Sequence, residues 1–244
     1  MTSEHSTTLV EELLSWVSDD WTDAPGVFSV ALRSGARDPQ ELRDLSLGLL
    51  VHVVANDLAV LGEIRTGRHV PWPGTPAETL LRAVQDWARF PTPRVSIGDL
   101  FWLDTTPAGE AIGRSVRGRW QLTDEEDMAE TSGPPLPAAW SAAPTLRDKV
   151  IRRCALGPLP VRALVQVAAA GGVRTQEAVQ VLALGMLAHL VAQGSLVLGD
   201  QRDGRFVPWA GTPAEALLRV GRSWLSPEEG TSTKDTTWFD VTSR

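Results

Sequence analysis

The apolar and polar positions of this chain trace the same set of elements twice, 137 residues apart. From Leu47–Trp87 to Leu184–Trp224 the match needs no gap, and 24 of 41 columns are identical. A repeat of that length is a duplicated unit, too long for a solenoid turn. Each unit predicts a first helix, "TLVEELLSWV" in copy one and "LRDKVIRRCAL" in copy two. Thr8 and Glu11 have capping-box spacing. A short second helix follows, "VFSVALRSG" or "RALVQVAAAGG", ended by glycine. A long third helix begins at the good N-caps Asp38 and Thr175. Two short strands then flank Thr66-Gly67 and Asp203-Gly204, which are hairpin-turn signals. The fourth helix opens on "TPAE" in both copies, with Thr75 or Thr212 as cap, Pro76 or Pro213 in the first turn and Glu78 or Glu215 closing a capping box.

Further along, "LFWLDTTP" (100–107) is answered by "TTWFDVTS" (236–243) with one residue deleted. Copy one continues into "AGEAIGRSV"; copy two has no such segment. The third helices, "LSLGLLVHVVA" and "VQVLALGMLAHLVA", are apolar nearly all round. A surface helix shows one apolar stripe, so these are expected to be covered on two sides. The second cover is the other copy, a homodimer mate or another protein.

Two short helices, a longer third helix and a hairpin, with "FWLDTTPAGEAI" as a strand leading to a last helix, resemble the winged helix-turn-helix superfamily over both copies. The "VPWxGTPAE" joint is also similar to small, single-copy, uncharacterised bacterial proteins of that type, which implies no activity. The expected fold class is mainly α with small β-hairpins (α+β): tandem duplicated winged-helix domains, residues 1–122 and 147–244. Residues 123–146 form an acidic, Pro-rich linker.

Composition adds limits. No apolar run reaches the ~18 residues of a membrane helix, and "MTSEHSTTLVEELL" lacks the plan of a secretory leader, so a cytoplasmic protein with no membrane contact is expected. Cys154 is the single cysteine, which excludes an internal disulfide. All basic residues but Lys149 and Lys234 are arginine; with abundant Ala, Val and Gly this points to a bacterium with a GC-rich genome. The net charge of −7 is uneven. Residues 1–122 carry −5, residues 123–146 carry −5 and residues 147–244 carry +3.

A DNA-reading third helix needs Arg, Lys, Asn or Gln at its start. Copy one offers Asp38, Glu41 and Asp44 against Arg43, so specific nucleic acid is not the expected partner. The four cations Arg147, Lys149, Arg152 and Arg153 are expected to be masked by the acidic run 124–127. The chain shows no nucleophile–base pattern, metal-ligand spacing or phosphate loop, so no enzyme activity, cofactor or metal is expected. His52 and His189, at matched places, read as core histidines bonded to one backbone oxygen. Glu63 and Asp200 read as local ion partners of Arg65 and Arg202, and Cys154 as a buried thiol. Six of the ten tryptophans recur in the repeat. Trp87, Trp102, Trp224 and Trp238 are expected in the cores. Trp72 and Trp209, beside the wing arginines, are expected to be partly exposed, in the composition of an interface. The candidate partner-binding residues are therefore Arg65, Arg68, Trp72, Arg202, Arg205 and Trp209. The function expected is a non-enzymatic protein-binding module, of immunity or toxin-neutralising or of scaffold or adaptor type. An acidic binder complements a basic effector. The alternative is a winged-helix DNA-binding regulator.

Overall fold

Short-range signals set the element boundaries. The structure, a computed structural model, describes residues 7–120, 139–224 and 237–242. Helix α1 (Leu9–Val17) starts at the reciprocal Thr8–Glu11 capping box. A two-residue strand β1 (Thr22–Asp23), not foreseen from the pattern, precedes α2 (Ala24–Leu32). Asp38 caps α3 (Pro39–Ala55) by accepting the Gln40 and Glu41 N–H groups. Strands β2 (Ala59–Arg65) and β3 (Arg68–Pro71) form the hairpin. Its turn has φ of 50° at Thr66 and 72° at Gly67. Two positive values in succession match the right-handed twist of the flanking strands. Helix α4 (Pro76–Ala88) opens on the Thr75–Glu78 box; strand β4 (Trp102–Thr105) and helix α5 (Pro107–Trp120) follow.

Copy two repeats this order as α6 (Leu146–Cys154), β5 (Leu159–Pro160), α7 (Arg162–Ala168), α8 (Gln176–Ala192), β6 (Leu196–Arg202), β7 (Arg205–Pro208), α9 (Pro213–Trp224) and β8 (Thr237–Val241). The boundaries keep the 137-residue offset to within one residue through the start of α9. The strand that follows shows the predicted one-residue deletion. Each copy has a four-stranded antiparallel sheet, in the orders β1-β4-β2-β3 and β5-β8-β6-β7. The fold class is α+β.

The second cover of each third helix is the other copy. Helices α3 and α8 lie against each other along their length, and α4 and α9 join the same contact. One continuous set of buried side chains runs from Leu13 and Leu50 in copy one to Leu187 and Trp224 in copy two. Matched positions make matched contacts. Gln85 donates to the Ala192 carbonyl at 3.3 Å, and its twin Arg222 donates to the Ala55 carbonyl at 3.1 Å. The loops before the third helices also meet: Arg174 N–H donates to the Ser34 carbonyl at 3.0 Å. The copies are therefore related by an approximate two-fold arrangement, as in an isologous dimer.

In each sheet the alternation of the strand divides the aromatics. Trp87 and Trp224 are fully buried, and Phe101 meets Trp87 edge-on with ring centroids 5.5 Å apart. Trp102 and Trp238 are only half-buried, because Leu103 and Phe239 take the core-facing positions. The expectation that Trp102 and Trp238 lie in the cores is corrected: Phe101 with Trp87 and Phe239 with Trp224 are the buried aromatics there.

Candidate functional site

At the β2–β3 and β6–β7 hairpins, the structure separates residues that the sequence grouped. Arg65 and Glu63 form an exposed ion pair at 2.5 Å, and Arg202 and Asp200 one at 3.2 Å, as expected. Arg68 and Arg205 are exposed beside the turns. Trp72 is not: it is 8% exposed and belongs to the core. The Arg82 guanidinium lies over its ring, 3.9 Å from the centroid. Copy two repeats this contact with Arg219 over Trp209, also at 3.9 Å. Trp209 is half-buried and donates its indole N–H to Asp200 at 2.8 Å. The expectation of an exposed Trp72 is corrected, because the chain turns into α4 there and carries the indole under Arg82. Repetition of both Trp and Arg in the two copies was the signal available in the sequence.

The faces of α1 and α6 differ much more. Gly109 and Gly113, one turn apart on α5, lie against α1. A Cβ at Gly109 would strike the Leu58 carbonyl, and one at Gly113 the Leu14 carbonyl and Ser18 Oγ. At the far end Arg117 pairs with Asp19 at 2.5 Å and Arg119 with Glu11 at 2.9 Å. Seven of the nine α1 residues are buried, against four of nine on α6. Among the described residues nothing occupies on α6 the place that α5 takes on α1. Ile151, twin of the fully buried Leu14, is partly exposed, and Leu156 is 93% exposed. Lys149, Arg152 and Arg153 stand exposed around them, with no ion pair among the described residues. The acidic run expected to mask them, 124–127, lies outside the described residues.

Arg147 is not on that surface. It is buried, and Asp44 neutralises it at 2.6 Å. Its other N–H groups go to His189 Nδ1 at 2.5 Å and to Gln40 Oε1 at 2.7 Å. This corrects two expectations. Asp44 does not face outward from the start of α3, and Arg147 is held by Asp44 across the copies. His189 is also corrected: its Nδ1 meets Arg147 and lies 3.1 Å from Asp44 Oδ1, and its ring has no backbone oxygen as partner among the described residues. Burial lowers the His189 pKa, Asp44 opposes this and Arg147 adds to it, and Nδ1 stands between Arg147 Nη1 and Asp44 Oδ1. Its twin His52 faces the Asn56 side-chain amide at 3.2 Å. Burial pulls His52 down to about 4. For Asp44, burial would raise the pKa, but Arg147, His189 and Arg43 outweigh it and hold the carboxyl below its usual value. Cys154 is buried as expected, and burial, with Asp240 nearby, pushes its thiol up to about 11.

Next to this cluster a cleft of about 380 Å³ opens, lined by Gln40, Arg43, Ser141, Arg147, His189 and Gln193, with Ile151 and Ser195 at its edge. Ile151 and Ser195 are the twins of Leu14 and Leu58, the residues under Gly109 of α5. The cleft therefore begins at the place that α5 covers in copy one.

No protein-family model, curated protein or solved structure matches this chain.

Proposed function

We propose that the chain is a non-enzymatic protein-binding module of scaffold, adaptor or toxin-neutralising type, acting in the cytoplasm. In this reading each copy is a winged-helix unit, and the bare face of α6 receives an amphipathic helix of a protein partner. The observation that carries it is the contrast between α1, sheathed by α5, and α6, uncovered among the described residues with Leu156 at the surface. Copy one shows the kind of occupant the surface accepts: a helix with small residues toward the seat and charges at its rim. In copy one the rim is acidic, Glu11 and Asp19, and the helix brings arginines. In copy two the twins of Glu11 and Asp19 are Asp148 and Leu156, while Lys149, Arg152 and Arg153 are the exposed cations of α6, so the occupant is an acidic helix.

The alternative, a DNA-binding regulator, fits less well. Fourteen of the seventeen α3 residues are buried, and the start of the helix is engaged with copy two through Glu41, which accepts the Gly172 N–H at 2.8 Å. Base reading by that helix would require the copies to part. What remains for DNA is phosphate contact by the wing arginines and α6, which carries no sequence information.

A photo-crosslinking residue at Leu156 or Ile151, compared with one at Val207 on the wing, tests the proposal in host cells. Crosslinks to one protein from the α6 positions are expected. Arg152→Glu and Arg153→Glu together should weaken binding of that purified partner at least about tenfold, with strong salt dependence. Crosslinks from the wing position with none from α6 would remove the docking face. Tight binding to one duplex at about 150 mM salt, surviving bulk competitor, would promote the regulator.

A further inference from the structure

The seat that α5 occupies has the same main chain in both copies and a different set of side chains. In copy one the Ser18 N–H donates to the Leu14 carbonyl at 3.0 Å, the Leu58 N–H to the Val53 carbonyl at 2.8 Å and the Thr106 N–H to the Leu58 carbonyl at 3.1 Å. In copy two the twin bonds run from Ala155 to Ile151 at 3.1 Å, from Ser195 to Leu190 at 2.8 Å and from Thr242 to Ser195 at 3.1 Å. Thr106, the residue before α5, is buried, and its hydroxyl accepts the Gly109 N–H at 3.2 Å. Thr242 reaches the matching place and is exposed.

Main chain sets how near a helix can come to this seat. On α5 the approach is so close that a Cβ at Gly109 or Gly113 would strike the carbonyls of Leu58 and Leu14. The matching carbonyls on copy two are those of Ser195 and Ile151. A helix seated at the same depth on α6 therefore needs glycine at the same two places, because only glycine permits so close an approach. Val116, three residues after Gly113, is fully buried, so an apolar residue belongs at that place too.

Side chains set the rest of the pattern. Arg117 donates to the Ser18 carbonyl at 3.1 Å and pairs with Asp19. The twins of Ser18 and Asp19 are Ala155 and Leu156, and Leu156 is 93% exposed. An arginine there would lose its carboxylate, whereas an apolar residue would take Leu156 out of water. Asp148 keeps the place of Glu11, so a cation at the place of Arg119 still has a carboxylate to meet.

We infer that the helix received by α6 carries a glycine, a second glycine four residues on, and two adjacent apolar residues three and four places after the second glycine, the last of them seated on Leu156. This rests on the reading of α6 as a docking face and names the sequence that the face selects. The acidic residues of the occupant belong on its flanks, toward Lys149, Arg152 and Arg153. Helix α5 of a second copy has both glycines and the valine but would bring Arg117 to Leu156, so the occupant is a different protein.

The test places candidate helices on the seat in cis, because a free peptide of this length is a marginal helix and linkage raises its effective concentration. The segment Pro107–Trp120, with Arg117→Leu in the appended copy, is joined to the full chain directly after Thr242. It should raise the melting temperature by about 2–4 °C or more. The unaltered segment, or one that also carries Gly109→Val or Gly113→Val in the appended copy, should give at most a small part of that gain. In a second arm, mass spectrometry identifies the partner segment crosslinked from position 156 in host cells, which should carry the glycine pair and the adjacent apolar pair. No gain from the leucine-bearing segment, a gain that the valines leave intact, or a crosslinked partner segment without the glycine pair would overturn this inference while α6 still docks a protein. Crosslinks from position 156 to this chain alone, or none, would remove the docking reading and the inference together.

Discussion

Gly185 of α8 lies directly against Gly48 of α3, and the two are the same residue of the repeated unit. A Cβ on Gly185 would fall 2.8 Å from the Gly48 nitrogen and collide with the Asp44 carbonyl; a Cβ on Gly48 would collide with the Val181 carbonyl. In both cases the obstacle is main chain, which cannot rotate away. Gly48→Ala and Gly185→Ala should each cost about 3 kcal/mol or more by forcing the helices apart. Elsewhere in a helix the same change is stabilising by about 1 kcal/mol. Denaturant midpoints of the two variants decide this, and a gain in stability for either would refute the close crossing.

Trp72 and its cover should separate sharply. Emptying a core indole site costs about 3–5 kcal/mol, so Trp72→Ala should lose roughly that amount. Arg82→Ala removes a half-exposed cation from the ring and should lose less than about 1 kcal/mol. Thermal melts of both variants check this. Equal losses would mean that Arg82, and not burial, holds the indole in place.

The link between Asp44 and Arg147 joins the copies through charge. Asp44→Ala strands two buried guanidiniums and should cost about 3–5 kcal/mol. Replacing both residues by apolar ones, Asp44→Leu with Arg147→Met, should recover much of that loss, because no charge of the pair is then left stranded. A double-mutant cycle measures the coupling, and additive losses would show that the pair does not interact energetically.

Acid should weaken the fold through its buried histidines. His52 sits at about 4 because it is buried, while an unfolded histidine titrates near 6.5. Between those values the unfolded chain binds the proton and the folded chain does not. Stability is therefore complete above about pH 6.5 and falls as the pH drops toward 4, by up to about 3 kcal/mol. Buried His189 adds in the same direction. Asp44, held low, contributes stability above its unfolded value near 4 that is lost on further acidification. Urea midpoints at pH 7.5 and pH 5 should differ, and His52→Leu should reduce the difference.

The helix caps, the hairpin turns and the 137-residue register could be read from the sequence because each is local or repeated. The mutual burial of the third helices was legible as an unassigned second cover, since an all-round apolar helix needs one without saying which. The Asp44–Arg147–His189 cluster was not legible. Asp44 and Arg147 are 103 residues apart, and their twins are Val181 and Val10, so the repeat offers no echo of the pair. Trp72 misled for another reason: its position beside a wing suggests exposure, and only the path of the chain into α4 reverses that.

A symmetric pair of separate chains must place every residue twice, so a charge introduced on one side of its interface appears on the other as well. Joining the two units in one chain removes that rule. Asp44 can face Arg147 on one side of the crossing while the twin valines occupy the other, and α5 can cover α1 while α6 has no such cover among the described residues. Covalent linkage thus lets a nearly symmetric body have a front and a back. It also fixes the stoichiometry: such a protein offers one α6 face per body, where a homodimer of the second unit would offer two.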